Sequence, residues 1–257
     1  WYGSNAANTS RGLPRSILLV TLSDVDTGAP LAVMSANLLS AMRTGAMPAL
    51  AAEYLAKKDS QVLSLIGPGV INKCALRCYM EALPGIDTVK IKGSTPESRS
   101  ARAMKEYIEA EYPQIKKIIL CQTLEEACRE TDVVSEAVSV TKADMEEFKP
   151  DWFDKGTAVF SMGSFFVREY EKLLGTRMVV DNYGMYEKYM SNFIARGPVD
   201  ELGKKREWCI MGMHFVHLVN TGQAERSQVI SLADLVNGKA EGRTSDDEVV
   251  MCSIGGM

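Results

Sequence analysis

Residues 61–73 read Gln-Val-Leu-Ser-Leu-Ile-Gly-Pro-Gly-Val-Ile-Asn-Lys, and no other stretch narrows the fold as much. Val62 to Ile66 is an apolar run with the length of a buried parallel strand. Gly67 and Gly69 close it, and helix-forming residues follow. This strand, glycine turn and helix follow the order of a dinucleotide-binding βαβ unit. The first glycine makes the tight turn, the second lets backbone N–H groups approach a pyrophosphate, and the helix N-terminus adds partial positive charge. The turn departs from G-x-G-x-x-G at the third glycine, where Asn72 stands, so close helix–strand packing is less assured.

Downstream the pattern repeats. Asp87 to Lys92, Lys117 to Cys121, Asp132 to Val138, Gly156 to Met162 and Arg177 to Val180 read as strands. Glu97 to Tyr112 and Thr123 to Glu130 read as helices between them. Strands separated by helices predict an α/β fold, a doubly wound (Rossmann) parallel sheet. Ligands in such sheets lie beyond the carboxyl ends of the strands. Gly67 to Ile71, Lys92 to Thr95, Ser139-Val140 and Met162 to Phe165, with Gly163 among them, therefore converge on one crevice.

The second strand of the unit ends Lys92-Gly93-Ser94-Thr95, with Arg99 close behind and no acid before Glu97. An NAD-preferring site places an Asp or Glu there for the ribose hydroxyl. A cation flanked by hydroxyls suits a 2′-phosphate instead, so NADP(H) is the expected cofactor, with NAD(H) possible. The alternative is a solvated loop with incidental charge.

The flanks are less regular. Trp1 to Ser10 reads as loop, and Ser16 to Ser23 with Pro30 to Met34 as a hairpin. Asn37 to Lys58 has helical spacing, with a kink or two abutting helices expected at Pro48. Tyr183 to Val219 reads as one long helical stretch holding both histidines, His214 and His217. An i,i+3 pair can ligate metal, but the apolar surroundings, with no Cys or acid beside it, point to packing. Val249 to Ile254 reads as a further strand.

Composition removes several function classes. The 257 residues carry a net charge of −4, with 46% hydrophobic and 24% charged residues, so nothing favours nucleic acid or an anionic membrane. No apolar run reaches the roughly 18 residues of a spanning helix. The six cysteines lie mostly in apolar segments; Cys74 and Cys78 share a helix face without further ligands, as reduced thiols of a soluble cytoplasmic protein would. The abrupt ends at Trp1 and Met257 predict an internal piece of a longer chain.

Several blocks resemble the ornithine cyclodeaminase/μ-crystallin family. They are Asp26-Thr27-Gly28-Ala29-Pro30-Leu31-Ala32-Val33-Met34, Leu39-Ser40-Ala41-Met42-Arg43-Thr44-Gly45-Ala46, Leu65-Ile66-Gly67-Pro68-Gly69, Asp132-Val133-Val134 and Gly242-Arg243-Thr244-Ser245-Asp246-Asp247-Glu248. They stand in the family's order across nearly the whole sequence. The resemblance implies a homodimer, each subunit combining a Rossmann domain (residues 49–252) with part of a smaller α+β substrate and dimerisation domain (residues 1–48). Residues 253–257 would return towards the latter.

It also implies NAD(P)-dependent chemistry at the α-carbon of an amino or imino acid. Arg43 matches the arginine that binds the substrate carboxylate, a task suited to a guanidinium fork. Arg15 matches a small hydroxyl residue near the cofactor. Val70 and Ile71 match residues whose backbone meets the pyrophosphate, Lys92 the ribose reader, and Ser253 and Ile254 the strand end near nicotinamide and substrate. A family lysine of the substrate site and another arginine would precede Trp1.

Where the family's cyclodeaminases carry an aspartate, this sequence has Phe165. A phenyl ring cannot shuttle a proton. The resemblance therefore points to an oxidoreductase acting on an amino, imino or opine-like acid. A cyclodeaminase with its acid–base group elsewhere, or a nucleotide-binding member without turnover, are the alternatives.

Overall fold

β4 (Val62–Ile66) is apolar on both faces because it is covered on both, and the site is arranged around it. The computed structural model describes residues 1–138, 146–197, 199 and 207–255. β4 pairs in parallel with β5 (Thr88–Lys92) on one side and β7 (Val133–Glu136) on the other. β6 (Lys117–Leu120) continues beyond β5. On the far side come β8 (Ala158–Ser161), β9 (Arg177–Val180), β10 (Val229–Ser231) and β11 (Val250–Ser253).

The eight-stranded order is β10-β9-β11-β8-β7-β4-β5-β6, and every pairing is parallel. The chain winds outwards from β4 to β6 and then returns to lay β7 beside β4. That reversal leaves a crevice at the carboxyl ends of β4 and β7. The expected doubly wound sheet is present. β10, and α7 (Leu232–Val236) after it, are additions to the sequence reading.

α2 (Val70–Ala82) follows the glycine turn, and α3 (Arg99–Glu111) and α4 (Leu124–Cys128) complete this half. α1 (Asn37–Leu55) packs against α2. Their approach is so close that a Cβ on Gly45 would lie 2.6 Å from the Ala75 nitrogen. Of the kink or two abutting helices expected at Pro48, the two separate helices are not found. The helix runs on through that residue, because Thr44, Gly45, Pro48, Ala49 and Ala52 share its buried face. Packing outweighs the lost hydrogen bond. The boundary expected after residue 48 thus falls inside a continuous helix.

The stretch from 183 to 219 is not one helix. α5 (Tyr183–Ala195) ends before Gly197, whose φ is +77°, and α6 (Met211–Asn220) starts afresh. α6 packs on α5, where Gly212 leaves no room for a Cβ against the Tyr186 ring, 2.6 Å away.

The N-terminal residues form a separate antiparallel sheet of β1 (Tyr2–Ser4), β2 (Ser16–Ser23) and β3 (Pro30–Ser35). The hairpin is as expected; its turn is tied by Asp24 Oδ1, which accepts from the Asp26 and Thr27 amides at 3.1 and 2.8 Å. Residues 1–10, expected as loop, supply β1 and the start of a 3₁₀ turn at Ala6–Arg11. Among the described residues, no helix is long and apolar enough to cross a membrane.

Candidate functional site

A cavity of about 790 Å³ opens at the carboxyl ends of β4, β5 and β7. Its inner wall is the turn Gly67-Pro68-Gly69 with Val70 and Ile71. Gly67 has φ +79°, and a Cβ there would meet the Ala137 carbonyl at 2.9 Å; only glycine fits. Gly69 differs. Its φ is −93°, and a Cβ would meet nothing within 4 Å. The chain has left space at Gly69 that folding does not require. α2 begins at the next residue with no side-chain cap, so its first-turn amides, which lack partners inside the helix, border that space. This suits the pyrophosphate of a dinucleotide.

Asn72 corrects the expectation of loose packing. It is fully buried, and its Nδ2 donates to the carbonyls of Ile66, Gly67 and Ser135 at 2.9, 3.0 and 3.2 Å. Its Oδ1 accepts from Ser135 Oγ at 2.7 Å. The amide stitches β4, the turn and β7 together where a third glycine would only allow approach.

Ala137, Val138 and Ser164 form the cavity floor, and Glu136 holds them. Its buried carboxylate accepts from the amides of Val138 (2.6 Å), Gly163 (3.2 Å) and Ser164 (3.0 Å) and from Ser161 Oγ (2.7 Å). Burial pushes its pKa up to about 7, although all four donors favour the charged form. Gly163 must be glycine, since a Cβ would lie 2.5 Å from the Val138 oxygen. Sequence reasoning missed Glu136; the available signal was a carboxylate at the end of the otherwise uncharged strand Val133–Glu136.

At the outer rim Lys92 is only 4% exposed. Its Nζ donates to the Gly93 carbonyl at 2.9 Å and pairs with Glu146 Oε2 at 3.0 Å. Ser94 and Ser100 line the same rim. Thr95 and Arg99, expected beside them, do not line the cavity. Thr95 accepts the Ser98 amide through its carbonyl, and Arg99 is exposed at the start of α3.

The other expected contacts are dispersed. Ser139 lies outside the described residues. Met162 is buried, its amide donating to the Glu136 carbonyl at 2.8 Å. Ser253 Oγ accepts the Gly212 amide at 2.9 Å, and Ile254 is buried in the core. Arg15, just before β2, and Arg43, in α1, are exposed and outside the cavity lining. Phe165 is a correction. Its ring is fully buried and stacks on Phe148 at 4.4 Å, with Phe153 at 6.2 Å. It packs the core and does not face the crevice on which 162–165 were expected to converge; Phe148 and Ser164 line the cavity instead.

The histidines are packed, as expected. His214 is buried, and its Nδ1 accepts from Trp208 Nε1 at 2.7 Å, while Tyr170 stacks on its ring at 5.7 Å. Burial pushes its pKa down to about 3. The unfolded chain, titrating near 6.5, then binds a proton that the fold refuses, so stability falls as pH drops below about 6.5 and levels off near 3. Between pH 7 and pH 5 this group alone should remove about 2 kcal/mol. Urea melts of the protein and of His214→Phe should show that this part of the acid loss disappears in the variant; equal losses would refute it. Among the described residues, no group of three or more His, Cys, Asp or Glu could hold a metal ion.

The sequence profile of the Ornithine cyclodeaminase/mu-crystallin family matches residues 1–257. The chain belongs to this family. Within it, the chain is 27% identical to the N-((2S)-2-amino-2-carboxyethyl)-L-glutamate dehydrogenase of Staphylococcus aureus over 258 residues, covering 100% of the chain and 69% of that protein. An archaeal alanine dehydrogenase dimer with bound NAD superposes with a TM-score of 0.75 at 26% identity, over 100% of this chain and 71% of that one. The Thermococcus litoralis Delta(1)-pyrroline-2-carboxylate reductase, in complex with NADH and L-proline, shares the fold. Its TM-score is 0.76 at 24% identity, over 98% of this chain and 70% of that one.

Proposed function

We propose that the protein is a nicotinamide-dinucleotide-dependent oxidoreductase acting at the α-carbon of an amino, imino or opine-like acid. The observation that carries this reading is the unfilled space at Gly69, beside an uncapped helix N-terminus at the sheet's reversal point. The family members described above, named as dehydrogenases and a reductase, give it its chemical class. Gly67, Gly69 and the amides of Val70 and Ile71 would hold the pyrophosphate, and Lys92 with Ser94 the ribose end. When bound, the cofactor supplies or accepts a hydride. The chain's part is to fix it in the crevice and to place a cation on the substrate carboxylate. NADP(H) is favoured by the buried cation at Lys92 with two serines on the same rim.

The protein acts as a homodimer in this reading. Ile17, Leu19 and Val33 are exposed on one face of the β2–β3 sheet, and an apolar sheet face of that kind is what paired copies bury. The absence of a disulfide among the six cysteines suits the cytoplasm.

The test is incubation of the full-length protein with NADH or NADPH and a panel of keto acids plus amines. Stoichiometric nucleotide oxidation with one acid is expected. Catalytic release of proline and ammonia from ornithine would replace this reading by cyclodeamination. Arg43 is proposed as the carboxylate ligand. Arg43→Lys keeps the charge but loses the fork, so kcat/KM should fall by about a hundredfold or more with nucleotide affinity maintained. Near-normal turnover would make Arg43 structural.

A further inference from the structure

Lys92 and Glu146 are unequal partners. Lys92 is buried at the end of β5, and its ammonium is held twice, by the Gly93 carbonyl and by Glu146. Glu146 comes from the other side of the crevice, after β7, and its side chain is 57% exposed. Both residues line the cavity, together with Ser94 and Ser100. The acid missing from the end of β5 is therefore supplied in space by a distant segment. The glutamate is the member of the pair that can move, since water already reaches it.

We propose that Glu146 is a specificity-determining residue that selects between the two nicotinamide dinucleotides; this rests on the nucleotide-binding reading above. A 2′-phosphate seeking Lys92 meets a carboxylate already on that ammonium. It must displace Glu146 or lie against it, and like charges close together in a partly buried site repel strongly. A ribose 2′-hydroxyl has no such conflict, because it can donate a hydrogen bond to the same carboxylate. Lys92 draws the phosphate in and Glu146 opposes it, so the pair sets the ratio of the two affinities.

The test is the ratio of NADH to NADPH dissociation constants, measured by fluorescence titration on the full-length protein and on Glu146→Gln and Glu146→Asp. The glutamine variant should shift the ratio towards NADPH by about tenfold or more at low salt, and the shift should shrink as salt screens the repulsion. The aspartate variant, which keeps the charge, should stay near the unmodified ratio. Binding of both nucleotides with a ratio that Glu146→Gln leaves unmoved would overturn the selector role alone. Failure of the unmodified protein to bind either nucleotide would overturn the nucleotide reading and this inference with it.

Discussion

Glu136→Ala is expected to cost about 3–5 kcal/mol of stability, because it leaves a buried set of donors without an acceptor. The amides of Val138, Gly163 and Ser164 and the Ser161 hydroxyl all point at this one carboxylate. Water cannot replace it freely at a fully buried position, and Gly163 sits too close to Val138 for the loops to re-form differently. Glu136→Gln should cost much less. Its amide oxygen can keep one pair of donors, and its NH₂ can donate to Ser161, leaving only one amide opposed.

The two variants also differ from the parent in pH response. With a pKa near 7 in the fold against 4.5 ordinarily, the native state binds the extra proton between those values. This group's contribution to stability therefore falls as pH rises from about 4.5 to 7 and is flat above. The sign is opposite to that of His214. Urea melts at several pH values would measure both effects, and a Glu136→Ala variant within about 1 kcal/mol of the parent would remove Glu136 as the anchor of the cavity floor.

Gly69→Ala should weaken nucleotide binding by about a hundredfold, close to 2.7 kcal/mol, with the melting temperature hardly changed. The separation follows from geometry. The added methyl meets no protein atom within 4 Å, and φ −93° is open to alanine. Its only collision is with whatever occupies the crevice. Gly67→Ala should do the reverse first: φ +79° and a 2.9 Å approach to Ala137 strain the fold itself, at roughly 2 kcal/mol or more. Calorimetric titration and thermal melts on the pair give the comparison. Parent-like NADPH and NADH affinity in Gly69→Ala would place the pyrophosphate somewhere else.

What was legible in the sequence was what is encoded locally. The apolar run 62–66 with its two glycines specifies a strand, a turn and a helix within a dozen residues, and the structure has them. The 16–34 hairpin was equally local. The break between α5 and α6 was signalled by Gly197-Pro198 and the charged run after it, a helix stop that the apolar residues on both sides overshadowed. Lys92 was visible as a cation, but not its partner, since Glu146 reaches it only through the sheet's winding. Asn72 looked like a defect in a glycine pattern until its four hydrogen bonds were seen. Phe165 shows a different limit. Matching a position to a family tells which residue stands there, while the direction of its side chain depends on neighbours such as Phe148 and Phe153.

β11 bears on how the protein is made. Residues 250–253 slot between β8 and β9, pairing with both. During synthesis β8 and β9 emerge long before the strand that joins them. Each must wait with an unpaired edge, and the two cannot close on one another without excluding β11. A nascent chain held short of residue 253 therefore carries two open sheet edges at once, the state in which strands from neighbouring ribosomes add most readily. The joining of β8 to β9 therefore waits for residues 250–253, whatever the order in which the helices form.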